Sequence, residues 1–213
     1  MQRLLPGVIA MAAIVVASNI LVQFLILDGL LTWGAFTYPF AFLVTDLMNR
    51  VYGPHAARRV VFVGFVTGII CSLIGSQILL QGDGYEYAAV ALRIAVGSGI
   101  AFLTAQLVDV FIFDRMRQGV WWRAPLASTF VGSALDTALF FTIAFSASIT
   151  LFPASANEEI SWAWEAVPLM NIGALYPLWV SLAIADWLVK MTLALIALIP
   201  FRIAIGKILQ PSA

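Results

Sequence analysis

Asp136 lies in the middle of a long apolar run, and no lysine or arginine falls within one helical turn of it on either side. An ionised carboxylate in that position costs on the order of 2.5–3.5 kcal/mol on membrane-insertion scales, so its partner has to be another helix, a ligand or a proton. Similar groups recur along the chain. Asn19 and Gln23 stand four apart, as do Asp46 and Arg50, and Asp186 and Lys190. Gln106 and Asp109 stand three apart, and Thr129, Ser133 and Asp136 follow at spacings of four and three. Each set shares one face of a helix. Arg93 begins another apolar run. A carboxylate accepts from paired N–H donors such as those on the edge of a guanine-like base, and an amide both donates and accepts. Aromatic faces nearby could stack a flat heterocycle. The chemistry is recognition of a small, flat, polar solute, and several solutes of that kind fit.

Bland readings stand beside these. Asp186–Lys190 forms an intrahelical ion pair at no cost to fold logic, and Asp46–Arg50 near an interface does the same. Arg93 can snorkel outward. Ser128, Thr129 and Ser133 can bond back to their own helix. Asp136 is the residue least easily dismissed in this way.

The elements that position these groups are apolar runs. Of 213 residues, 62% are hydrophobic and 10% charged, with mean hydropathy +1.01. Soluble domains carry roughly 25% charge. Six stretches stand out, at about 6–27, 33–49, 60–80, 88–113, 124–151 and 172–201. They are continuous rather than alternating, which predicts helices and not a β-barrel. The expected fold is an all-α integral membrane bundle of six transmembrane helices, a single domain over residues 1–213. The second stretch is short and holds Pro39, which predicts a kink or break there. The first is too long for a signal-peptide core of about 7–15 residues and reads as a retained helix. The segment around 155–165 predicts a short amphipathic piece or lid.

Charge orients the bundle. Arg3, then Arg50, Arg58 and Arg59, then Arg115, Arg117 and Arg123, then Arg202 and Lys207 occupy alternate connections. The remaining connections hold Asp28, Asp83, Glu86, Glu158, Glu159 and Glu165 and no cation. The positive-inside rule then predicts cytoplasmic N- and C-termini. Counting from the helix ends puts Asn19, Asp136, Asp186 and Lys190 near the midplane. Asp46, Gln106 and Asp109 fall in the inner third, Gln23 and Arg93 in the outer third. The third helix, with Gly64 and Gly68, reads mainly as packing.

Several classes are excluded. Net charge is zero, so nothing points to nucleic acid. One cysteine, Cys71, and one histidine, His55, make no zinc cluster, and no cofactor is called for. Neither G-x-S-x-G nor H-E-x-x-H occurs, which argues against an enzyme. No G-x-x-x-x-G-K-[ST] occurs, so the chain does not hydrolyse ATP itself. It works alone as a carrier, or as the substrate-binding subunit of an ATP-driven uptake system that docks on small residues such as Ala13 and Ala17. Lipid is the expected surrounding, and a homo-oligomer is compatible with the chain.

The run Ala17-Ser18-Asn19, Gln23, Trp33-Gly34-Ala35-Phe36, Pro39-Phe40 and Thr45-Asp46-Leu47 resembles the queuosine precursor transporter family, within the vitamin uptake transporters. Ala57-Arg58-Arg59, Arg93, Gln106, Asp109-Val110, Trp121-Trp122, Ala127-Ser128-Thr129, Asp136-Thr137 and Lys190 extend the match along nearly the whole chain. The resemblance implies import of 7-deazaguanines such as preQ0 or preQ1 across a bacterial inner membrane by a multi-pass protein, for tRNA modification. Carried over by position, the binding candidates are Asn19, Gln23, Asp46, Arg93, Gln106, Asp109, Asp136 and Lys190. Under that resemblance Asp136 or Asp109 would take the N–H edge, and Gln106 or Asn19 the carbonyl edge.

Overall fold

The computed structural model describes residues 4–21, 25–26, 31–81 and 86–208. An apolar helix α1 (Leu5–Leu21) opens the chain, followed by a four-residue helix α2 (Gly34–Thr37) and α3 (Pro39–Tyr52). Then come α4 (Pro54–Gly75), α5 (Leu92–Met116), α6 (Arg123–Phe145), a short α7 (Ala154–Glu158) and α8 (Leu178–Ile208). Of these, α4, α5, α6 and α8 are each long and apolar enough to cross a membrane, and α1 is a shorter apolar helix of 17 residues.

The second apolar stretch breaks where Pro39 predicts. Pro39 has no N–H to give to the carbonyl of Ala35, so the chain closes α2 through Tyr38 N–H to Gly34 O and restarts with Pro39 in its first turn. Between α3 and α4 the turn rests on Gly53, at φ +86, a left-handed conformation that a side chain disfavours.

Other stretches end earlier than hydropathy predicts. The first was expected as helix to Leu27. Instead α1 stops at Leu21, and β1 (Leu25–Ile26) pairs antiparallel with β2 (Leu31–Thr32). The third was expected to reach Leu80; α4 stops at Gly75, and β3 (Leu79–Gln81) pairs with β4 (Glu86–Ala88). α6 ends at Phe145 rather than Leu151. α8 begins at Leu178 rather than Ile172, behind a hairpin of β5 (Ala166–Pro168) and β6 (Leu175–Pro177). Apolar composition continues through these hairpins, and hydropathy does not separate an apolar hairpin from the end of a helix. The segment expected as a lid is α7 plus a turn of 3-10 helix at Ser161–Trp164, with Ala156, Ile160 and Ala163 buried.

Glycine contacts reveal the helix directions. Gly64 and Gly68 of α4 meet Met11 and Val15 of α1, so these two run parallel. Gly97 of α5 meets Ala144 of α6, and Gly132 of α6 meets Asp109 of α5, so these run antiparallel. Gly7 of α1 meets Met48 of α3, again antiparallel. The chain therefore alternates in direction. The three hairpins gather at one end with Glu86, Glu158, Glu159 and Glu165, while Arg50, Arg58, Arg59, Arg115, Arg117 and Arg123 gather at the other.

Burial is inverted relative to a soluble protein. Leu73 (63%), Phe62 (60%) and Ile199 (65%) are exposed, whereas Arg93, Gln106 and Asp109 are fully buried. An apolar exterior around a polar interior is stable in lipid and unstable in water. This is a helical membrane protein.

The α5–α6 contact is the most extensive in the bundle and needs Gly97. A Cβ there would sit 3.2 Å from Ala144 N and 3.3 Å from Phe140 O, both backbone atoms that a rotamer change cannot move. Gly97→Val is expected to destabilise the protein by about 1–3 kcal/mol, the usual cost of overpacking. The thermal unfolding midpoint in detergent measures it. Gly206→Val, where a Cβ meets open space, is the matched control and should not lower the midpoint.

Candidate functional site

Lys190 of α8 is 4% exposed and lies among acceptors from two helices. Its Nζ donates to Asp136 Oδ2 at 2.7 Å and to Thr137 Oγ1 at 3.1 Å, and pairs with Asp186 Oδ2 at 2.5 Å. Thr137 in turn donates to Asp186 Oδ2 at 2.8 Å. The partner that Asp136 lacks on its own helix is therefore supplied by α8. Tyr38 OH donates to Asp136 Oδ1 at 3.1 Å, and the Lys190 ammonium lies 5.5 Å from the Tyr38 ring centre. Tyr38 sits at the junction of α2 and α3, with helical backbone angles.

By formal charge, two acids against one ammonium leave the cluster with one excess negative charge. It forms the floor of a cavity of about 340 Å³. Around it stand Phe65, Phe102, Phe140, Phe141, Phe145 and Trp162. Ser18, Asn19, Ser72 and Ser98 add polar points on the walls. The lining residues of α4, α5 and α6 come from their halves nearest the hairpins, so the cavity lies in that half of the bundle. Its size sits at the lower end of small-molecule pockets. An apolar aromatic wall with a few convergent polar groups suits a flat solute with a polar edge.

Of the eight residues singled out from the sequence, Asn19, Asp136 and Lys190 line this cavity. Asn19 donates one N–H to Val15 O at 2.9 Å, which leaves its Oδ1 as an acceptor. Gln23 lies outside the described residues. Asp46, Gln106 and Asp109 come together in a separate buried layer nearer the arginine-rich end. There Asp46 accepts from Ser128 and Thr129, and Thr45 donates to Gln106 Oε1 at 2.6 Å. Phe42 stands between the two layers, edge-on to Tyr38 at 6.5 Å and against Gly132 beside Asp109.

Arg93 is committed elsewhere. It donates to Ile143 O at 3.0 Å, to Ser146 O at 2.7 Å and to Asn157 Oδ1 at 2.7 Å, and lies over the Phe152 ring. These bonds satisfy carbonyls at the C-terminal end of α6 and tie α7 to α5. Arg50 likewise donates to Arg117 O, and Arg117 returns a bond to Arg50 O, a latch at the other end of the bundle.

Three features escape the sequence analysis. Tyr38 carries no charge and sits beside a proline; the helix break at Pro39 was the available signal. Asp186 reads as a structural ion pair, yet its carboxyl reaches the cavity. The helix expected mainly to pack, α4, contributes Gly64, Gly68 and Ser72 to the wall, where glycines make room.

Arg93→Lys keeps the charge but loses the planar fork that reaches three acceptors. With two charge-assisted bonds lost at roughly 1.5 kcal/mol each, stability should fall by about 3 kcal/mol. The unfolding midpoint reports the loss, and hydrogen exchange should rise selectively over 154–164.

The family model described as "Putative vitamin uptake transporter" matches residues 32–205. The "Queuosine precursor transporter" of Escherichia coli (strain K12) is 40% identical over 157 residues, covering 70% of this chain and 71% of that protein. The "Probable queuosine precursor transporter" of Haemophilus influenzae is 33% identical over 187 residues, 84% of this chain and 70% of that protein. A protein of the same description from Bacillus subtilis is 27% identical over 192 residues, 84% of this chain and 72% of that one. No solved structure matches. Tyr38, Asp136, Asp186 and Lys190 all fall inside the matched span, and with it the floor of the cavity: the chain belongs to the vitamin uptake transporter family.

Proposed function

We propose that this protein imports queuosine precursors, 7-deazaguanines, as a stand-alone carrier, and that Asn19, Tyr38, Asp136, Asp186 and Lys190 hold the solute. The single observation that carries this reading is the acid–lysine–acid floor beneath aromatic walls. A 7-deazaguanine is flat, presents adjacent N–H donors on one edge and a carbonyl beside them. The donors suit the Asp136 and Asp186 carboxylates. The carbonyl suits the Lys190 ammonium, and the ring faces suit Phe and Trp walls.

The broken α2–α3 segment counts as one span, with α1, α4, α5, α6 and α8 as the others, giving six. The arginine-rich end faces the cytoplasm of a bacterial inner membrane, with both termini on that side. The cavity then faces the outer side, the side from which a scavenged solute arrives. An interior site of this kind moves solute by rearrangement of helices around it, without covalent chemistry.

The competing reading is a binding subunit served by a separate ATP-driven module. Ala13 is exposed on α1 and would be free to dock such a partner. Proteoliposomes holding only this chain separate the two, since uptake without any second protein excludes the subunit reading.

Asp136→Asn removes the negative charge and one acceptor while keeping the shape. Losing a charge-assisted hydrogen bond of about 1.5–3 kcal/mol weakens binding by roughly 10- to 150-fold. Titration of the purified protein with a 7-deazaguanine measures it, and an unchanged affinity would remove Asp136 from the solute site.

A further inference from the structure

The solute reading leaves the second polar layer unused. Asp46 is 2% exposed and Asp109 fully buried, and the two carboxyls lie within hydrogen-bonding reach of each other. Asp46 accepts from Ser128 Oγ at 3.3 Å and Thr129 Oγ1 at 3.5 Å. Neither carboxyl oxygen of Asp109 has a donor in hydrogen-bond geometry, the hydroxyl beside it being the Ser128 one that serves Asp46, and Asn49 Oδ1 on α3 is likewise unpartnered. Gln106, one turn from Asp109, has its amide nitrogen unpartnered. Exchanging its amide atoms would only move the vacancy to the oxygen.

No cation answers these acids among the described residues. On α3, Arg50 turns to Arg117 O. On α5, Arg93 is committed to the α6 end and Asn157, Arg115 lies over the Phe111 ring, and Asp114 pairs with Arg117 near the helix end. On α6, Asp136 is turned to Lys190 and Tyr38. α8 offers Lys190, which pairs with Asp186 and Asp136, and Arg202, which lies over the Trp121 ring. α4 has no ionisable side chain between Arg59 and Cys71, and α1 has none at all. Two touching carboxyls in a dry interior cannot both be ionised, and a hydrogen bond between them requires a proton.

We propose that the Asp46–Asp109 pair binds the proton that drives solute uptake. The pair cycles between one shared proton and two. Loading takes a proton from hydronium, forms one O–H bond and leaves water; unloading reverses this at the other side. The dianion, the costly state in oil, is never visited. This rests on the carrier reading and supplies its coupling ion.

The link to the solute site is a ridge of α3 and the residue before it. Tyr38, Phe42 and Asp46 follow at steps of four and share one face. Tyr38 touches Asp136 at the cavity floor, Phe42 lies edge-on to Tyr38, and Asp46 meets Asp109. Ala41 N–H donates to Tyr38 O at 2.9 Å, which ties Tyr38 to the first turn of α3, so the ridge moves with α3. Closing Tyr38 onto a solute therefore moves Asp46 against Asp109. Below the pair, Phe113 and Phe201 pack edge-on at 6.2 Å with Ala124, which seals the arginine-rich end.

The full chain in proteoliposomes, with the membrane potential clamped and a radiolabelled 7-deazaguanine outside, tests the proposal. A one-unit inward pH gradient should accumulate the solute about tenfold in the native protein, the equilibrium limit for one proton per solute. Asp109→Asn should equilibrate to the same level with or without the gradient, while its affinity for the solute stays within about twofold. Asp46→Asn should behave alike and serves if the first variant does not elute as a folded species. Accumulation that ignores the pH gradient, follows a sodium gradient instead, or survives in both variants overturns the proposal. Loss of solute affinity in both also overturns it, by moving the pair into the solute site. The infrared carbonyl band of a protonated carboxyl, present in native protein and lost in Asp109→Asn, needs no solute. If the band is present and the native protein fails to bind the deazaguanine, the carrier reading fails and the protonated pair stands. If the band is absent, the pair fails whatever the solute data show.

Discussion

A lysine held in the interior of an apolar bundle is the constraint around which the rest is arranged. Lys190 carries a charge that lipid does not solvate, so α8 is stable where it is only with acceptors around it. Asp186 comes from its own helix, Asp136 and Thr137 from α6. Removing any one strips an acceptor from the buried ammonium, and because the acceptors come from both helices, α6 and α8 are fixed in register with each other. The second acid leaves the cluster one negative charge in excess. That excess is the part of the interaction available to a ligand, and the cavity above it is where a ligand reaches it.

The junction at Tyr38–Pro39 brings a neutral hydroxyl to that cluster. An unbroken helix would satisfy every backbone group and hold Tyr38 rigidly. Proline removes one hydrogen bond from the ladder and sets a hinge there. Above the hinge, Ser18 and Thr37 share a hydrogen bond at 2.9 Å that ties α2 to α1. Below it, α3 carries Phe42, Thr45, Asp46 and Asn49, all buried, toward α5 and α6. Two polar layers are thus joined by one short helix, with an aromatic ring between them.

The two ends of the bundle are built differently, and for different reasons. At the hairpin end the connections are apolar ladders and short helices, held by Arg93 against the carbonyls that end α6. Trp164 adds a bond to Phe145 O at 2.6 Å, which fixes the same corner. At the opposite end the turns are tight: Gly53 reverses the chain between α3 and α4, and Phe113 packs on Phe201. A cavity lies toward the first end and a packed aromatic contact closes the second, which is an asymmetry a carrier needs.

Much of this was legible without coordinates. Composition and continuous hydropathy determined the membrane class. The cost of an ion in oil picked out Asp136 and Lys190, and the proline marked the break in the second stretch. Charge alternation sorted the connections into two sets, which the fold then gathers at opposite ends. Helix ends were not legible, because Leu25–Ile26 and Leu79–Gln81 are as apolar as the helices before them, and hydropathy records composition and not backbone hydrogen bonding. Nor was the division of labour among the polar residues. Arg93, Asp109 and Asp136 have equal reason to be conspicuous in a sequence, yet one caps a helix end, one meets a second acid and one lines a cavity. Residue type and depth are properties of a single helix and can be read along the chain. Which groups meet depends on the rotation and packing of helices whose partners lie fifty or more residues away, and only the tertiary structure decides that.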